Sequence, residues 1–138
     1  PWQSNHIVVG MGTVLASLMK GDDDSLGYWA VGEDHYDEKT TKISQVKSLK
    51  KQILRKRIIP NRDIIFSTGD KRSTSPTNIL EINMILSIND FGNPAPEKVT
   101  LKEFGLLSKS GQLVNYVPHE GYKIKAGATA GFSLRFTF

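Results

Sequence analysis

The sequence predicts a mainly β protein of the α+β class: an antiparallel β-sandwich with an N-terminal helix and a short basic helix. Three observations predict it. Apolar residues recur at helical spacing near the front, at Ile7, Val8, Met11, Val14, Leu15, Leu18 and Met19. Strict alternation takes over later, at Leu80, Ile82, Met84, Leu86 and Ile88, and again at Phe132, Leu134, Phe136 and Phe138. The late strands are joined by connections of hairpin length, which favours an antiparallel arrangement over a doubly wound one.

Each element has its own justification. Residues 7–19 form the first helix, with Ser4 or Asn5 as N-cap and Gly21 as C-cap glycine. Gly10 and Gly12 each lower helix propensity by about 1 kcal/mol, so a close neighbour across the helix is expected there. Residues 27–32, Gly-Tyr-Trp-Ala-Val-Gly, read as a buried strand. Ile43, Val46, Leu49 and Ile53 recur at helical spacing with lysines between them, which predicts a short amphipathic helix with a basic outer face over 43–53. Strands follow at 54–59 and 63–68, separated by Pro60-Asn61, and 69–77 reads as a polar loop. Further strands are expected at 80–88, 99–107, 112–117, 122–125 and 132–138, with a turn at Ser108-Lys109-Ser110-Gly111.

Composition narrows the function classes. A chain of 138 residues is one domain, 1–138, large enough to bury roughly two-thirds of its unfolded surface. No apolar run approaches the ~20 residues of a membrane helix, so no membrane partner is expected. There is no cysteine, which excludes disulfides, thiolate metal sites and a thiol nucleophile. The net charge of +4 is unevenly spread. Lys39, Lys42, Lys47, Lys50, Lys51, Arg55, Lys56 and Arg57 occur with no acid among them, whereas Asp22, Asp23, Asp24, Glu33, Asp34, Asp37 and Glu38 lie upstream. This pattern predicts an acidic and a basic end suited to contacts between copies.

The sequence carries few signs of chemistry. Gly10-x-Gly12 after three β-branched residues imitates a dinucleotide-binding turn, but Leu15 stands where the third glycine is needed. The cluster Glu33-Asp34-His35-Tyr36-Asp37-Glu38 lacks the central Gly and distal Glu of a calcium loop and reads as solvated. His6, His35 and His119 have no partner at zinc spacing, and no Gly-x-Ser-x-Gly elbow is present. The basic stretch could neutralise phosphates, yet no aromatic residue between Lys39 and Arg57 offers a base-stacking platform, so nucleic acid is not the expected partner. No enzyme activity, cofactor or metal is expected. Trp29, Tyr116, His119 and Tyr122 form a polar-aromatic set that a carbohydrate-binding module would use on a host-surface glycan. Glu103, inside an apolar run, calls for a partner, because an unpaired buried carboxylate is costly. Gly105 lets a neighbour approach closely, and Ser110-Gly111 supplies a positive-φ turn.

The order of features resembles that of phage tail-fibre and tail-collar type proteins. It shares an apolar first helix with Ala16 near its centre, a strand at Tyr28-Trp29-Ala30-Val31-Gly32-Glu33, and a basic stretch from Leu49 through Ile53 to Arg55. The most specific likeness is the run from Val99 through Glu103-Phe104-Gly105-Leu106 to Gly111-Gln112-Leu113, which is similar to the strand-turn-strand I-R-E-x-G-L-F-x-x-x-G-x-L of those proteins. The resemblance implies a virion structural subunit of a phage tail, baseplate, collar or fibre attachment, assembled in the host cytoplasm and acting through protein-protein packing. Its expected partners are other virion proteins and copies of itself, as a trimer or hexamer. The interface candidates are Ile7, Met11, Val14 and Leu18 on the helix, Lys47, Lys50, Lys51 and Arg55 in the basic stretch, and Glu103, Phe104 and Gly105 in the hairpin.

Overall fold

A computed structural model describes residues 5–138. Two antiparallel sheets face each other. The first has the order β1-β8-β7-β2-β3 and the second β5-β4-β6-β9. The strands are β1 His6–Ile7, β2 Leu26–Gly32, β3 Gln52–Arg57, β4 Ile64–Thr68, β5 Lys71–Ser73, β6 Ile79–Ser87, β7 Lys98–Ser108, β8 Asn115–Lys125 and β9 Thr129–Thr137, with helices α1 Val9–Lys20 and α2 Pro60–Asp63. The expected antiparallel sandwich is therefore the observed architecture.

The core explains the alternation. Trp29, Val31, Leu101, Phe104, Leu106, Val117 and Ile124 of the first sheet pack with Ile82, Met84, Leu86, Phe132 and Phe136 of the second. Phe104 and Phe132 meet at 4.8 Å between ring centroids, and Tyr122 meets Phe132 edge-on at 5.1 Å. Each such side chain, once buried, contributes roughly 1.5–3 kcal/mol. β7 from Glu103 to Ser108 and β8 from Asn115 to His119 are buried on both faces. Their outer face carries a second apolar cluster of Val8, Ala30, Ile43, Leu49, Leu107, Leu113 and Tyr116. The cover over that face is the segment 33–51.

This cover corrects one expectation. Residues 43–53 do not form an amphipathic helix: a single 3-10 turn, Ile43–Gln45, is followed by extended chain that enters β3 at Gln52. The physical reason lies in what the backbone does there. The N–H groups of Lys50 and Lys51, which a helix would consume internally, are donated to the Glu103 carboxylate, while Ile43 and Leu49 drop onto the sheet. The second helix of the fold is instead the one-turn α2, with Pro60 at its start.

Smaller differences have similar causes. α1 begins at Val9 with Val8 as an N-cap that makes no side-chain bond. Asn5, one of the two expected caps, accepts a hydrogen bond from Asn115 Nδ2 at 2.8 Å, and His6–Ile7 pair with Tyr116 and Asn115. The other expected cap, Ser4, lies outside the described residues. Gly21 closes the helix as expected, at φ 103°, with its N–H and that of Asp22 donating to Leu18 and Ser17. Gly10 has the expected close neighbour, since a Cβ there would lie 2.1 Å from the Leu113 carbonyl oxygen, whereas Gly12 has nothing within 4 Å. The two strands expected at 112–117 and 122–125 are one continuous β8, and the loop expected at 69–77 contains β5.

Candidate functional site

The densest polar constellation sits on the outer face of the first sheet, around Glu103. Its side chain is 0% exposed. Oε1 accepts from the Tyr116 hydroxyl at 2.7 Å and from the Lys50 N–H at 2.8 Å, while Oε2 accepts from the Lys51 N–H at 2.7 Å. The carboxylate fits because Gly32, its cross-strand neighbour, has no side chain; a Cβ there would lie 2.0 Å from Oε2. Tyr116 in turn accepts from the Tyr36 N–H at 3.1 Å, and the Tyr36 hydroxyl donates to the Ser48 carbonyl at 2.8 Å. These bonds pin both ends of the 33–51 segment to the sheet.

Burial pushes the Glu103 carboxyl above its ordinary value, although the hydrogen bonds from Lys51, Tyr116 and Lys50 oppose the rise. Burial and the bond to Glu103 likewise raise the Tyr116 hydroxyl far above the usual phenol range. A tyrosine hydroxyl and a glutamate that accepts from three donors form a latch. The expected partner of Glu103 is thus found inside the chain.

The rest of the hairpin is also structural. A Cβ on Gly105 would lie 2.7 Å from Leu113 Cδ1 and 2.9 Å from the Asn115 carbonyl oxygen, so the close neighbour anticipated at this glycine belongs to the same chain. Asn115, fully buried, accepts from the Leu106 N–H at 2.8 Å. At the 108–111 turn, Gly111 adopts φ 94° as expected. Asp24 holds this turn by accepting from the Ser110 N–H and hydroxyl, at 2.8 and 2.7 Å, and from the Ser108 hydroxyl at 3.1 Å. Burial works against the charge on Asp24, but those hydrogen bonds outweigh it and lower its pKa. The neighbouring Asp23 pairs with Lys109 at 3.0 Å.

Several expected site residues are corrected by these positions. Glu103, Phe104 and Gly105 lie in the interior of the chain and offer no surface to another subunit. Met11 and Val14 are buried in the chain's own core, whereas Ile7 and Leu18 are exposed. Lys47, Lys50, Lys51 and Arg55 are all on the surface, but Lys50 pairs with Asp34 at 3.4 Å and Lys51 with Glu33 at 2.7 Å. Arg55 lies over the Tyr28 ring at 5.2 Å. These pairings join part of the acidic run to the basic run within one segment, instead of setting an acidic end against a basic end.

The aromatic set does not form a sugar platform. Trp29 is 2% exposed and Tyr116 0%, with His119 buried and Tyr122 half-buried. His119 accepts from the Gly121 N–H through Nδ1 at 2.9 Å, and burial lowers its pKa. Among the described residues no group of three His, Asp or Glu is placed to hold a metal ion. No helix among them is long and apolar enough to cross a membrane.

Of the exposed apolar residues of α1, the sequence reading named Leu18 as an interface candidate and missed Val9, Leu15 and Met19. Val9, Leu15 and Leu18 are exposed, and Met19 is 89% exposed. The sequence contained the signal: eight large apolar residues in 7–19 exceed what one packed stripe requires. Comparison with known proteins finds no matching family model, curated protein or solved structure.

Proposed function

We propose that this chain is a structural subunit of a virion, in a phage tail, baseplate, collar or fibre attachment, and that it works without catalysis by packing against other proteins. The observation that carries this reading is the apolar outer side of α1. Val9, Leu15 and Met19 line the exposed part of a helix whose inner side is satisfied by Gly10, Met11 and Val14, and Leu18 is exposed at the end of that inner stripe. An apolar helix face of this kind is suited to a protein partner. The hairpin that resembles tail proteins supports the same reading through its sequence alone, since its Glu103 is engaged within the chain in holding the 33–51 cover. Carbohydrate recognition has less support, since three of its four residues are buried.

Mass spectrometry of purified particles of the phage encoding this chain tests the proposal. The expected result is the chain at a copy number in fixed ratio to the tail proteins. Its absence from particles, with the chain abundant in the infected-cell lysate, would sink the reading.

A further inference from the structure

The exposed side of α1 is uncharged and complementary to itself. At 3.6 residues per turn, Gly12, Leu15, Ala16 and Met19 share the side opposite the buried Met11 and Val14. All four are exposed, Met19 at 89%, and among the described residues nothing lies within 4 Å of a Cβ built on Gly12. No charged residue occurs from Val9 to Met19. The face therefore carries a projecting methionine near one end and an open notch near the other. Opposite charges flank those ends. Lys47 shares a cleft with Val9, Gly10 and Thr13 at the start of the helix, and Asp22 follows the C-cap at its finish. Asp23 and Asp24 are engaged by Lys109 and by the 108–111 turn. Asp22 accepts from the Ser17 hydroxyl at 3.0 Å, but among the described residues neither Asp22 nor Lys47 has an ion-pair partner.

We infer that α1 pairs antiparallel with α1 of a second copy about a two-fold axis passing between Leu15 and Ala16; this rests on the reading of the chain as an assembly subunit and names the partner of its apolar helix. In this register Met19 enters the notch at Gly12 of the partner subunit. Val9 comes level with Asp22 of the partner subunit, so Lys47, beside Val9, meets that carboxylate. The contact is isologous, and both the notch and the ion pair are used twice. Antiparallel packing also sets the negative end of each helix dipole against the positive end of the other. Parallel packing would oppose Met19 to Met19 of the partner subunit and leave both charges unmatched. One helix pair covers less than the roughly 800 Å² per partner of a standard interface, so the isolated chain dimerises weakly.

The chain has no cysteine, so a disulfide can form only between engineered residues. Full-length Ala16→Cys, Gly12→Cys and Met19→Cys, each substituted on the exposed side of α1, are oxidised alone and as an equimolar mixture of the last two. Ala16→Cys is expected to give a covalent dimer. The Gly12→Cys and Met19→Cys mixture is expected to cross-link at least about tenfold faster than either alone, because like positions stand about 10 Å apart along the axis, beyond disulfide reach. Each of the two cross-linking alone as fast as the mixture would overturn the antiparallel register. No covalent dimer from either Ala16→Cys or the mixture would overturn the helix pairing, while incorporation into particles independently tests the assembly reading. Charge reversal supplies a second measurement on chains without cysteine. In sedimentation across a concentration series, Lys47→Glu and Asp22→Lys should each dissociate at about tenfold higher concentration than wild type, and the double variant should recover the wild-type behaviour. A double variant as weak as the single ones would overturn the pairing of Lys47 with Asp22 of the partner subunit, and with it the register.

Discussion

Glu103 shows how a single residue can be chemically suggestive and structurally occupied. A glutamate among apolar residues could signal catalysis or a contact, but three donors converge on it from its own chain. Removing it in Glu103→Ala strands two backbone N–H groups and the Tyr116 hydroxyl, which is expected to cost about 3–5 kcal/mol. Gly32→Ala drives a methyl into the same carboxylate and is expected to cost about 1–3 kcal/mol. Because both changes act on one contact, the double variant should lose less than the sum of the two, by at least about 0.5 kcal/mol. Urea unfolding of the four proteins measures this coupling. Strict additivity would mean that Gly32 and Glu103 do not share the site. The sequence made the need for a partner legible. It could not show that the partners were backbone amides some fifty residues upstream, since amides carry no residue signature.

At the scale of elements, legibility followed how local the determining forces are. α1, β6 and β9 were readable because their periodicity reports a single buried face. The segment 43–53 was misread because Ile43, Val46 and Leu49, three apart, fit both a helix and an extended cover with a 3-10 turn, and the deciding hydrogen bonds are long-range. α1 itself offers a contrast between two glycines expected to behave alike. Gly12→Ala, in an exposed helix interior with open space around it, should stabilise the protein by about 0.5–1 kcal/mol. Gly10→Ala must displace the Leu113 carbonyl and should destabilise it. Thermal melts of the two variants should move in opposite directions. A shared upward shift would show that α1 is not seated against the hairpin as described.

For the whole molecule, the sandwich was legible as a class, while the division of strands between sheets was not. β2 pairs with β7, and β3 joins the same sheet through β2, a partition fixed by long-range packing and by the cover at 33–51. That layering predicts a gradient of stability. β2, the second half of β7 and the first half of β8 are buried between the core and the cover, whereas α1 and β5 are peripheral and largely exposed. Amide exchange should therefore be slowest in the central strands and fastest in α1 and β5, because protection tracks the free energy of local opening. The Lys50 and Lys51 amides supply the decisive comparison. They lie in irregular chain on exposed residues yet donate to a buried carboxylate, so they should exchange slowly in the wild type. In Glu103→Ala their protection should fall to that of ordinary loop amides, with β6 and β9 losing far less. Loss of protection spread evenly over both sheets would mean that the cover and the sandwich unfold as one unit. Fast exchange at Lys50 and Lys51 in the wild type would mean that the outer apolar face is routinely uncovered, making it a second surface available to partners.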